Sequence, residues 1–376
     1  MKVILNLLQC HHDYTGTGRY VRNVCRELAL IAPSTQFIQL VALDNAATYE
    51  VKAPNFSQVR LPLRIKKRIQ RIAFEQSFLP VLGLRYRSSD TVLWSPNDVP
   101  IIGWPGRQAV TVHDLRRALL PEQFGMVERT YYQTMMRLAM RCSSRILTVS
   151  ERSRQDIHSY YGFPLDHIHV TYNAVDPELR REQDESRIAA VLAKHRLRRP
   201  FVLFVGQQMR IKGPHLLVQA LAQLRTSRPE LTLALVGKSG NATSLIETTA
   251  QSLDLGESLK RIPWVCDDEL RCLYSAAEVM AFPSRYEGFG IPVLEAMQCG
   301  TPVITTRYSC LPEVAGDAAY YVDETNVSVL TAALAEVLGD ANLRRSMVAR
   351  GLENASRFTW KGSAQNVLEA LTAATN

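Results

Sequence analysis

Short apolar runs of strand length alternate with helix-period segments along the whole chain, and this alternation restricts the fold more than any other feature. The pattern predicts strands at residues 2–8, 36–43, 91–94, 108–112, 145–149 and 167–171 in the first half. In the second half it predicts them at 201–205, 231–236, 258–262, 278–283, 301–306 and 318–322. Apolar strands separated by helices imply parallel sheets covered on both faces. A chain of 376 residues can hold two domains of ordinary size. Residues 172–177 (Tyr-Asn-Ala-Val-Asp-Pro) read as the junction, and a highly charged stretch at 180–200 leads into the second half. The expected fold class is α/β, with Rossmann-like domains at 1–178 and 179–356.

Composition narrows the function classes. With 46% hydrophobic and 21% charged residues the chain is globular, and no apolar run approaches the roughly 20 residues of a membrane span. The start, Met1-Lys2-Val3-Ile4-Leu5-Asn6-Leu7-Leu8, lacks a small-residue cleavage site and reads as a first strand, not a signal peptide. Seven cysteines, without C-x-x-C pairs, fit reduced thiols in the cytoplasm. The net charge of +8 lies in the first half: residues 1–180 hold 23 Lys/Arg against 15 Asp/Glu, and residues 181–376 hold 21 of each. It is densest at residues 63–72, where Ile65, Ile69 and Ile72 alternate with Arg64, Lys66, Lys67, Arg68 and Arg71. That pattern fits an amphipathic helix on an anionic membrane surface or a solvated basic face. Nucleic acid is not an expected partner, since no aromatic-rich or helix-turn-helix pattern accompanies the charge.

The segment 284–296, Ser-Arg-Tyr-Glu-Gly-Phe-Gly-Ile-Pro-Val-Leu-Glu-Ala, carries the most chemistry. It follows a short apolar strand closed by Pro283, and Pro292 suits the first turn of a following helix. Glu287 therefore sits in a strand-end loop and Glu295 about one turn into the helix. Between them Gly288-Phe289-Gly290-Ile291 present main-chain amides at a helix N-terminus, where an anion is bound favourably. Two carboxylates flanking such amides fit a sugar linked to phosphate.

The string from Glu287 to Ile304 resembles the E-G-F-G-x-P-x-x-E-A-M-A-x-G-x-P-V-I motif of retaining family 4 glycosyltransferases, with Gln298 at the second alanine. The likeness continues through Leu311-Pro312-Glu313-Val314-Ala315-Gly316-Asp317-Ala318. It implies the GT-B fold, two Rossmann-like domains facing a cleft, with a last helix (357–376) returning to the first domain.

Other loops add to this. Thr15-Gly16-Thr17-Gly18-Arg19-Tyr20 precedes a helix carrying Val21, Val24, Cys25 and Leu28, and its glycines allow close approach to phosphate. It also partly fits the dinucleotide fingerprint, leaving a nicotinamide-dependent enzyme as an alternative. Seven residues separate it from its strand, however, where that fingerprint follows at once. The G-x-G-R-Y form is similar to the first-strand loop of family 4. By that resemblance Gly16 and Gly18 contact donor phosphate, and Arg19 and Tyr20 shape the acceptor side. Val110-Thr111-Val112-His113-Asp114 puts a polar pair at a strand end, and the family has a similar pair near the transferred sugar. Asp114 is expected on the acceptor side and to orient His113.

Arg210 and Lys212, in a strand-turn-helix segment, can neutralise a diphosphate leaving group. The family usually places its arginine elsewhere in this loop, where Gln207 and Ile211 stand. Gly237 and Lys238 are expected to line the nucleotide site. The resemblance thus implies a retaining, cytoplasmic hexosyltransferase using a nucleotide-diphosphate sugar, with GDP-mannose the first choice and UDP or deoxysugar donors next. Its catalytic residues would be His113, Glu287, Arg210 and Lys212, with Glu295 on the ribose. The expected acceptor is a glycan or lipid-linked glycan of bacterial polysaccharide synthesis. No Asp-x-Asp triplet occurs, so no metal or other cofactor is implied. A GT-B epimerase or a non-catalytic sugar binder would share these features.

Overall fold

A computed structural model describes residues 1–10, 15–64, 68–323 and 325–375, with the main chain alone for Arg68. The chain forms two compact units, residues 1–174 with 359–376 and residues 175–358.

The first unit holds a seven-stranded parallel sheet: β1 (Lys2–Asn6), β2 (Gln36–Ala42), β3 (Phe56–Leu61), β4 (Thr91–Ser95), β5 (Arg107–Val112), β6 (Arg145–Thr148) and β7 (Ile168–Val170). Their order is β3-β2-β1-β4-β5-β6-β7. β3 is absent from the sequence reading for a physical reason. It is an edge strand, Phe-Ser-Gln-Val-Arg-Leu, buried only at its two ends, so it offers no apolar run. The helix Trp360–Thr375 belongs to this unit and packs on the helix Gly16–Ile31 and on β4 to β7.

The second unit holds β8 (Phe201–Val205), β9 (Thr232–Val236), β10 (Leu259–Ile262), β11 (Val279–Phe282), β12 (Val303–Thr306) and β13 (Tyr320–Val322). Their order is β10-β9-β8-β11-β12-β13, again all parallel. β9 and β11 are buried at every position, as strands covered on both faces must be. Phe204 and Phe282 stack across neighbouring β8 and β11 with ring centroids 5.9 Å apart.

Each sheet reverses its strand order once, at β1/β4 and at β8/β11. Loops leaving the carboxyl ends of strands at such a point diverge to opposite faces and leave a crevice, which is where open α/β sheets bind ligands.

Two sequence expectations change in detail. Gly16, Thr17, Gly18, Arg19 and Tyr20 lie inside the first turns of their helix, because Thr15 caps it by accepting the Gly18 N–H at 3.1 Å. Of the basic segment, Ile65, Lys66 and Lys67 lie outside the described residues. Residues 68–72 open the helix Arg68–Gly83, where Ile69 is 83% exposed while Arg71 turns inward. No described helix is long and apolar enough to cross a membrane.

Candidate active site

In the second unit, the loops after β8 and β11 flank the reversal. The first ends in a single tight turn, Arg210–Lys212, and then Gly213, at φ +73°. A Cβ on Gly213 would meet the Pro283 carbonyl oxygen at 2.8 Å, so only glycine lets the loops close together here. The second ends in Gly290 at φ +94°. Each glycine leads directly into a helix with proline in its first turn, Pro214–Leu224 and Ile291–Gln298. Two helix N-termini, each favourable to negative charge, thus begin at one reversal.

Lys212 and Glu287 meet between these loops, with Nζ 2.7 Å from Oε1 and both side chains largely buried. Ser284 Oγ donates to the same Oε1 at 2.9 Å. Glu287 Oε2 has no hydrogen-bond partner among the described residues. The Glu287 carbonyl accepts from Ser309 Oγ at 2.7 Å, which anchors the loop to the segment after β12. Lys212 Nζ also lies 5.3 Å from the Phe282 ring centre, a cation–π placement. Arg210, two residues back in the turn, is exposed, and its main-chain N–H is held by Asn241 Oδ1 at 2.8 Å. The turn therefore separates the two cations, one buried against a carboxylate and one at the surface.

Glu295 lies 3% exposed within its helix, where Tyr274 Oη donates to Oε2 at 3.0 Å. Phe289 is also buried, its ring edge-on to Phe358 at 5.6 Å, so this residue can offer a ligand its main chain but not its ring. Ile291 opens the helix half-buried, and Gly288 is half-buried beside Glu287. Gly237, at φ +135°, follows β9, and a Cβ there would sit 2.2 Å from the Gly206 carbonyl oxygen. Gly237 serves the packing of two loops, sealed by a Gln208 N–H to Lys238 carbonyl bond of 2.9 Å, while the Lys238 side chain is exposed.

In the first unit His113 follows β5. Its Nε2 is 2.8 Å from the Pro96 carbonyl, and its N–H donates to Asp98 Oδ1 at 3.0 Å. The expectation that Asp114 orients His113 is corrected here. Asp114 Oδ1 accepts the Arg116 N–H at 2.9 Å and its carbonyl accepts from Tyr132 Oη at 2.8 Å. The loop after β4 holds His113 instead, Asp98 through the main chain and Pro96 at the ring, and burial raises the Asp98 carboxyl above the usual range. Tyr20 is fully buried, its hydroxyl 2.9 Å from Thr171 Oγ1 and its ring edge-on to His113 at 5.3 Å. It supports the histidine from below and does not form an acceptor-side surface. Arg19 is half-buried in the same helix.

Sequence reasoning missed Asp98, Ser284 and Tyr274. Asp98 had a usable signal: Ser95-Pro96-Asn97-Asp98 is a turn-rich cluster at the end of a strand that borders the reversal. Tyr274 had none, since its position in Asp267–Ala276 reads as ordinary helix.

Residues 14–179 match the profile of the domain Glycosyltransferase Family 4, and residues 191–354 match that of Glycosyl transferases group 1. The chain belongs to the family 4 glycosyltransferases. Membership sets aside the nicotinamide alternative, and the two units are the two Rossmann-like domains of the GT-B fold. This glycosyltransferase is 26% identical over 383 residues to the O-antigen chain mannosyltransferase B of Escherichia coli, covering 98% of this chain and 99% of that one. Solved structures share the fold along nearly the whole chain. One is WaaG, a glycosyltransferase involved in lipopolysaccharide biosynthesis, with a TM-score of 0.73, 17% identity and coverage of 98% and 99%. Another is Anabaena Alr3699/HepE in complex with UDP-glucose, with a TM-score of 0.75, 17% identity and 99% of each chain covered.

Proposed function

We propose that this glycosyltransferase moves a hexose, mannose as first choice, from a nucleotide-diphosphate sugar to a glycan or lipid-linked glycan, with retention of anomeric configuration. The reading rests most on the Lys212–Glu287 pair at the β8/β11 reversal. A cation and two helix N-termini suit a diphosphate, and the unengaged Glu287 Oε2 suits a sugar hydroxyl. In this mechanism Glu287 binds the transferred sugar and Glu295 the ribose. The bond from the anomeric carbon to the phosphate oxygen breaks as the acceptor oxygen attacks the same face. The acceptor's proton passes to the departing phosphate oxygen, whose charge Lys212 and Arg210 stabilise. None of these steps calls on a metal ion or other cofactor.

The E. coli relative, an O-antigen mannosyltransferase matched along its whole length, favours mannose and bacterial polysaccharide synthesis. The HepE complex keeps UDP-glucose as the next donor to try. The enzyme would act in the cytoplasm, with the basic segment 63–72 placing it at the anionic inner face of the plasma membrane. A thermal-shift screen of GDP- and UDP-sugars, followed by product analysis, tests the reading. A new glycosidic bond with the donor's anomeric configuration is expected. Epimerised donor, or binding without any product, would overturn it.

A further inference from the structure

The Lys212–Glu287 pair brings little net charge to the β8/β11 reversal, because the ammonium lies 2.7 Å from a carboxylate oxygen and each largely cancels the other. The two helix N-termini add about half a positive charge each. A diphosphate carries a full negative charge on each phosphate, so further cations are needed to match it. They stand on the rim. Arg210, after β8, and Arg285, after β11, are both exposed, and neither guanidinium has an acidic or hydrogen-bonding partner among the described residues. Although distant in sequence, the two belong to loops in direct contact. The Arg285 N–H donates to the Ile211 carbonyl at 2.9 Å, which sets Arg285 against the residue that follows Arg210. Ser284 and Ile211 are buried beside this bond, while the side chains of Arg285 and Arg210 are left to solvent. The main chain beneath them is fixed: Asn241 Oδ1 holds the Arg210 N–H at 2.8 Å, and the loops close at Gly213 where a Cβ would strike the Pro283 carbonyl. The charge of Arg210 reaches the start of the helix Pro214–Leu224. Burial first, and then Arg210, hold the His215 imidazole below its usual range. Guanidinium groups suit phosphate oxygens because they offer two parallel N–H donors in a rigid fork.

We propose that Arg285 is a further donor-binding residue, which holds the diphosphate of the nucleotide sugar from the β11 side of the reversal while Arg210 holds it from the β8 side. Glu287 keeps Lys212 at the inner end, and the two arginines supply the charge that this pair does not. The identity of the ligand as a nucleotide-diphosphate sugar rests on the function proposed above. The pairing of the two arginines across the Arg285–Ile211 bond rests on the second unit's geometry alone.

Arg285→Ala tests this directly, because the hydrogen bond to Ile211 comes from the main chain and survives the substitution. Calorimetry of the full chain with GDP, UDP and dTDP, each against its monophosphate, reads the contact. For the diphosphate that the wild type binds, Arg285→Ala should weaken affinity at least about tenfold, and its monophosphate less than about threefold, with the thermal midpoint unmoved. The loss should shrink at high salt, where exposed charges are screened. Arg285→Lys, which keeps the charge without the fork, should recover part of it. Arg210→Ala should show the same preference for the diphosphate. Wild-type diphosphate affinity in Arg285→Ala, or equal losses for diphosphate and monophosphate, would overturn the proposal. If that variant also transferred sugar like the wild type, Arg285 would leave the site and the proposed function would stand. A wild type that binds no nucleoside diphosphate would overturn both.

Discussion

The two sheets share one strand order around their reversals, yet the chemistry at each differs. At β8/β11 a lysine faces a carboxylate across loops packed main chain on main chain, with glycines wherever a Cβ would strike a carbonyl. At β1/β4 a buried carboxylate, Glu75, is met by amides as well as by Arg71, whose Nε lies 3.8 Å from Oε2. Asn6 and Gln9, at and just beyond the end of β1, donate to the buried Glu75 at 3.5 and 3.4 Å, and Asp98 and His113 close the far side. The same topology serves an anion in one unit and presents hydrogen-bond acceptors in the other, because strand order sets where a ligand binds and loop residues set which ligand.

The largest test of this contrast is pH. Burial pushes the Glu75 carboxyl up to about 7, against the opposing pull of Arg71, Asn6 and Gln9. Its folded value thus lies above its unfolded one, so its contribution to stability is complete below about pH 4.5 and is lost as pH rises through about 7. That displacement corresponds to roughly 3 kcal/mol. Urea unfolding of the first unit's signal should weaken across that window, and Glu75→Gln should flatten the slope. A wild-type slope that persists in the variant would assign the effect to another group.

Next comes the cationic side. Lys212→Ala should weaken nucleoside diphosphate binding by about 1.5–3 kcal/mol and nucleoside monophosphate binding by much less. Equal losses in calorimetry would move Lys212 away from the second phosphate. Glu287→Ala should lower kcat at least about tenfold, or about 1.4 kcal/mol, with nucleotide affinity little changed. Wild-type turnover on the true donor would remove Glu287 from the sugar's site. The smallest effect concerns the first unit's charge. Each basic residue near an anionic bilayer contributes about 1 kcal/mol. Replacing Lys66, Lys67 and Arg68 with glutamine should reduce sedimentation with anionic vesicles, most at low salt where screening is weak. A wild-type protein that ignores such vesicles at low salt would make this segment a solvated face.

The alternation of apolar runs and helical periods is local, and it was enough to place twelve of the thirteen strands among the described residues, since strands buried on both faces must be apolar throughout. The segment 284–296 was equally legible, because its glycines, proline and glutamates are consecutive and their roles follow from the turn they form. β3 was hidden because an edge strand can remain polar. The Glu287 contact with Lys212 spans 75 positions, and the turn that buries Lys212 while exposing Arg210 cannot be read from their spacing. His113 was visible as a strand-end histidine, but its partners were not: adjacency in sequence pointed to Asp114, whereas the loop after the neighbouring strand supplies Pro96 and Asp98. Sequence proximity determines which groups share a loop. Which groups share a hydrogen bond is decided by how parallel strands from distant parts of the chain bring their carboxyl ends side by side.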